Sequence, residues 1–144
     1  MIHRYHDGGR AAAGFKGEAG DCVTRAIAIA TGEPYREVYE ALHAQAKASS
    51  SKKVRKGGTS PRNGVHRKIY EPYLQSRGWV WTPTMAIGSG CKVHLRADEL
   101  PSGRLIVRVS RHVVAVVDGV ALDTYDPTRG GRRCVYGYYQ KKNI

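Results

Sequence analysis

The dipeptide Asp118-Gly119 constrains this chain more than any other pair of residues, because it separates two runs that read as strands, RHVVAVV and VALDTYD. β-Branched runs on both sides of Asp-Gly are the strongest short-range signal for a hairpin closed by a two-residue turn. That turn predicts a register, with Val117 opposite Val120, Val114 opposite Asp123 and His112 opposite Tyr125. Side chains alternate along a strand, so His112, Val114 and Val116 share a face with Asp123 and Tyr125, and Asp123 sits diagonal to His112. Asp126 falls on the other face if the strand continues regularly. One bulged residue would exchange the two acids.

Upstream of this hairpin the apolar period is helical. Asp21 stands where a helix N-cap is wanted, CVTRAIAIAT follows, and Gly32 closes the run as a C′ residue. Val23, Ala26, Ile27, Ile29 and Ala30 make this segment apolar on most faces, which predicts a buried central helix. Pro34 opens a second helix, with Tyr35, Val38, Tyr39 and Leu42 at helical spacing through about Ala48. Ser60 and Pro61 start a third, with Val65, Ile69 and Leu74 on its apolar face, a kink or restart at Pro72 and an end at Gly78. Residues 1–20 read as an extended or looping arm, and 49–60 as a basic flexible loop. From Trp79 the strands begin: VWTPT, then RLIVRVS, then the hairpin, with CVYGYYQ added as an edge strand. Residues 104–140 are thus expected to form an antiparallel sheet. Helices first and such a sheet afterwards imply one α+β domain spanning 1–144.

A chain of 144 residues buries one core and not two, and 25% charged residues against 41% hydrophobic ones argue against wholesale disorder. No apolar run approaches the ~20 residues that cross a bilayer, and MIHRYHDGGR lacks the apolar core of a signal peptide. A cytoplasmic protein with no membrane partner is expected. Cys22, Cys91 and Cys134 are odd in number and far apart, so they read as thiols of a reducing compartment. A metal site built from them and a histidine lacks any close ligand pair, so neither a metal nor a cofactor is expected. The net charge of +12 is concentrated. Lys47, Lys52, Lys53, Arg55, Lys56, Arg62, Arg67 and Lys68 fall in a stretch without an acid, as do Arg129, Arg132, Arg133, Lys141 and Lys142, which leaves the rest of the chain near neutral. Solvated basic loops explain this as well as contacts to nucleic acid or an acidic protein do. Lys52, Lys53, Arg55, Lys56, Arg132 and Arg133 are the candidates for such contacts. Tyr136, Tyr138 and Tyr139 either stack on bases beside the second cluster or fill a sheet.

Cys22 follows Asp21, which places its sulfur at the mouth of a buried helix, where free amides and the helix dipole stabilise a thiolate. The Asp21 carboxylate opposes that effect, so an imidazolium partner is needed. Buried cysteine is also a common packing residue, and His112 alone would read as structural. Together with Asp123, however, His112 fits an oriented general base. His3, His6, His43, His66 and His94 have no acid so placed.

A cysteine opening the central helix in GDCVTRAIAIATG, then a histidine heading a strand and an acid on the next strand in SRHVVAVVDGVALDTYDP, resembles the papain-like cysteine peptidase superfamily. More narrowly, the order resembles small papain-like proteins of bacteriophages and bacteria, including bacteriocin-processing peptidases. The resemblance implies a thiol hydrolase of peptidase or amidase type acting on a peptide or amide substrate, in a phage or bacterial chain. It makes Cys22 the nucleophile, His112 the base and Asp123 the third member, with Asp126 of the DP pair as the alternative. The alternative function is an inactive papain-like binding module whose basic segments engage nucleic acid or an acidic host or virion protein. These peptidases carry a glutamine about six residues before the cysteine as an oxyanion donor, and here that position is Lys16. Lys16 and the Cys22 backbone amide are the oxyanion candidates.

Overall fold

A computed structural model describes residues 1–15, 21–49, 65–86 and 88–142. Helix α1 (Cys22–Thr31) has Val23, Ala26, Ile27, Ile29 and Ala30 buried, as expected of a run without a polar face. Gly32 ends it in the left-handed conformation, its amide bonded to the Ala28 carbonyl. Helix α2 (Tyr35–Ser49) buries Tyr35, Val38, Leu42 and Ala46, one stripe at helical spacing. Helix α3 (Arg67–Ser76) buries Ile69, Tyr70, Tyr73 and Leu74. It starts later than Ser60, since His66 is its N-cap, and residues 50–64 lie outside the described ones. Pro72 neither ends nor restarts it. At the sixth helical position proline removes one intrahelical backbone bond, and the helix continues through it to Ser76.

Six strands are present among the described residues: β1 (Ile2–Tyr5), β2 (Trp79–Pro83), β3 (Arg104–Val109), β4 (His112–Val117), β5 (Val120–Asp123) and β6 (Val135–Lys141). They form one sheet in the order β1-β5-β4-β3-β6-β2. The fold class is α+β. Two expectations need correction. The sheet is mixed, because β1 lies parallel to β5, so part of the expected arm is a strand and its residues 16–20 fall outside the description. The CVYGYYQ run is interior, since β6 pairs with both β3 and β2. The hairpin register is as expected where the strands pair: Val117 meets Val120, Val116 meets Ala121 and Ala115 meets Leu122. Asp118 (φ 48°) and Gly119 (φ 78°) both adopt positive φ, as a two-residue turn of this kind requires.

The two faces of the sheet are covered differently. On one, Ile106, Val113, Ala115 and Tyr139 pack against the three helices. On the other, Leu105, Val107, Val109, Val114, Val116, Ala121 and Val135 pack against Leu95 and Leu100, which come from irregular chain between β2 and β3. That irregular segment is tied to the strand region by backbone bonds from Leu95 to the Arg133 carbonyl and from Val135 to the Val93 carbonyl. A disulfide between Cys91 and Cys134 joins the same elements. This corrects the reading of all three cysteines as thiols: Cys22 alone is free. It also removes Cys91 and Cys134 from any metal site.

Candidate active site

Cys22 is the first residue of α1, His112 the first of β4 and Asp123 the last of β5. Helix α1 packs on β4 and touches β5, so the three side chains converge where these elements end. The Cys22 sulfur lies beside the His112 ring and the Val113 backbone, close enough for both to act on its ionisation. His112 Nε2 lies 2.5 Å from Asp123 Oδ2. With that nitrogen engaged, Nδ1 is the one left to face the sulfur, and it also lies 3.2 Å from the Tyr125 hydroxyl. His112 meets the thiol on the helix side even though Val114 and Val116, next in its own alternation, belong to the opposite core. The site therefore sits at the end of the sheet and not over either face.

The electrostatics follow from these contacts. Burial pushes the Cys22 thiol up, but the His112 hydrogen bond and charge, the Val113 amide and Arg25 outweigh it, and the pKa falls below its ordinary value. Burial pushes the His112 imidazole down, yet its bonds to Asp123 and to the sulfur raise it to about 9. Asp123 would also rise on burial, but His112, the Thr124 amide and Arg25 hold it below the usual carboxylate range. A lowered thiol beside a raised imidazole favours the thiolate–imidazolium pair, which is the reactive form of a nucleophilic cysteine.

Asp21 does not cap α1 with its side chain. Its buried carboxylate instead bonds Arg25, one turn along the same helix, and accepts from the Tyr35 hydroxyl at 2.5 Å. Arg10 Nε lies 3.4 Å from Oδ2, the oxygen that takes the Tyr35 hydroxyl. The N-terminal segment closes around this group. A Cβ at Gly8 would sit 3.2 Å from the Arg25 backbone, and the Asp123 carbonyl accepts from the His6 amide at 3.0 Å and faces His3 Nε2 at 2.9 Å.

The remaining candidates are not gathered here. Asp126 is exposed, and its carboxylate takes the Thr128 amide at 2.9 Å, so it is no partner of His112. Lys16, Lys52, Lys53, Arg55 and Lys56 lie outside the described residues. Arg133 is buried, bonded to the Ser110 carbonyl at 2.5 Å, and is no surface contact, whereas Arg132 is exposed. Tyr139 is fully buried and bonded to Glu71, so it offers no stacking face. Sequence reasoning missed Arg25, and it placed Tyr125 beside His112 without a role. The signal for Arg25 was a lone charge in an apolar helix, four residues after an acid.

No family profile matches this chain, and neither a curated protein nor a solved structure matches it.

Proposed function

We propose that this chain is a small thiol hydrolase of peptidase or amidase type, papain-like in its order of Cys-helix, His-strand and Asp-strand, with a peptide or amide as substrate. One observation carries the reading: a cysteine at a helix mouth lies beside an imidazole whose Nε2 is held by a buried carboxylate. In the reaction the Cys22 thiolate attacks the substrate carbonyl carbon. The negative charge passes to the carbonyl oxygen, which the Cys22 backbone amide at the start of α1 stabilises. His112 gives its proton to the nitrogen as the C–N bond breaks, which releases the amine and leaves a thioester on Cys22. Water then attacks the thioester, with His112 taking its proton. The carboxylic acid leaves and the thiol is restored. Asp123 keeps the imidazole in the tautomer and orientation that both proton transfers need. Lys16 is the proposed second oxyanion donor. The binding-module alternative rests on charge, and Arg133 no longer contributes to it.

The test is the rate of Cys22 alkylation by iodoacetamide, followed by intact mass. Labelling at pH 6 well above a free thiol's rate, confined to Cys22 and lost in His112→Ala, supports the reading. A free-thiol rate that His112→Ala leaves unchanged overturns it.

A further inference from the structure

Among the buried charges to which the proposed reaction gives no role, one bears on Asp123: Arg25. Arg25 projects from an otherwise apolar helix, and its side chain is 9% exposed. Its Nη1 is bonded to Asp21 Oδ1, and its Nη2 lies 3.2 Å from Asp123 Oδ1. Asp21 is itself fixed by Tyr35 and faced by Arg10, and Gly8 packs against the Arg25 main chain. The guanidinium is therefore braced on one side and bears on Asp123 on the other.

A carboxyl group turns broadly about its last torsion. In Asp123 the two oxygens have separate tasks. Oδ1 takes the Thr124 amide at 2.7 Å and Arg25, while Oδ2 takes His112. Without Arg25 the Thr124 amide alone would hold Oδ1, leaving the mobile His112 ring as the other restraint on the torsion. A planar guanidinium spans two carboxylates at once, whereas an ammonium is a point charge on a flexible stem.

We propose that Arg25 is a positioning residue: braced on Asp21, it fixes Asp123 so that Oδ2 faces His112, and it thereby holds the imidazole toward Cys22. The inference rests on the thiol-hydrolase reading and extends it by one residue. A purely electrostatic Arg25 would act in the opposite direction, because a cation near the imidazole disfavours the imidazolium. The groups facing His112 are Cys22 from α1, Asp123 at the end of β5 and Tyr125 just beyond it; Arg25 reaches the ring through Asp123. Loss of orientation lowers the His112 titration midpoint, whereas loss of charge alone raises it.

The experiment follows the His112 ring protons by NMR against pH, beside the Cys22 alkylation rate, in the full chain and in Arg25→Lys and Arg25→Met. Both variants should shift the His112 midpoint downward and slow alkylation at pH 6 by about tenfold, the equivalent of one pKa unit. Arg25→Lys retains the charge and carries the test if Arg25→Met fails to fold. A folded Arg25→Lys with the parent midpoint and rate overturns the proposal, as does an upward midpoint in either variant. If the parent thiol itself reacts like a free one, the hydrolase reading fails, and the direction of the His112 midpoint still decides the role of Arg25.

Discussion

Leu105 and Ile106 are neighbours on β3 and both are fully buried, yet they belong to different cores. Ile106 faces three helices, whose buried polar groups Asp21, Arg25 and Tyr35 adjoin the thiol. Leu105 faces irregular chain held by a disulfide. Helices satisfy their own backbone groups, so the face they cover can devote side chains to a charged site. Irregular chain forms fewer internal bonds, and its cover relies on strand-like bonds and a covalent tie. Both faces supply stability, but only the helix-covered one adjoins the elements that end at the site.

The largest test of this contrast is His112→Ala, which should reduce hydrolysis of a cleavable amide by about 10²–10⁴, the usual worth of a positioned base. Steady-state rates beside Tm separate that loss from unfolding, since the substitution leaves the disulfide-tied face intact. Next come Leu105→Ala and Ile106→Ala, each expected to cost about 2–5 kcal/mol in urea unfolding. Only Ile106→Ala should also slow Cys22 alkylation. Equal slowing by both would abolish the distinction between the faces. Replacing Cys91 and Cys134 together by serine should lower stability by about 2–4 kcal/mol, as expected for a bond closing a loop with sequence separation 43. The Cys22 alkylation rate should not change.

The smallest effect concerns pH. His112 is raised to about 9, so its own contribution to stability is complete below the ordinary value of 6.5 and is lost as pH rises through about 9. Cys22 is lowered from 9.0, so its contribution is complete above 9.0 and is lost as pH falls through its lowered value. Above both 6.5 and the lowered Cys22 value, and below 9.0, the folded pair holds one proton on the imidazole, and the unfolded chain holds one on the thiol. The two slopes cancel there. Cys22→Ser removes one of them and also the sulfur's share of the His112 shift, so unfolding free energy should decline by on the order of 1 kcal/mol per pH unit above 6.5 relative to the parent, with the decline ending below about 9. Parallel curves for the two chains would mean that the pair is not formed.

The hairpin was legible because Asp118-Gly119 leaves its turn little choice, and the register carried His112 and Asp123 to each other's side. Helices α1 and α2 were legible from their apolar spacing and their Gly32 and Pro34 boundaries. The position of β6 was not, because alternation in CVYGYYQ says how a strand is faced and not which neighbours it takes. The disulfide was hidden for a similar reason: pairing across 43 residues depends on the path of the intervening chain. Asp21 misled because a carboxylate before a helix usually caps it, whereas here Arg25 and Tyr35 take that carboxylate inward.

Arg25 and Asp123 are 98 positions apart in the chain. At a synthesis rate of about 5–20 residues per second, roughly 5–20 s pass between the emergence of the helix that bears Cys22 and the arrival of the strands that bring His112 and Asp123 to it. On the thiol-hydrolase reading, the site is therefore assembled only after the strands in the final third of the sequence have been translated.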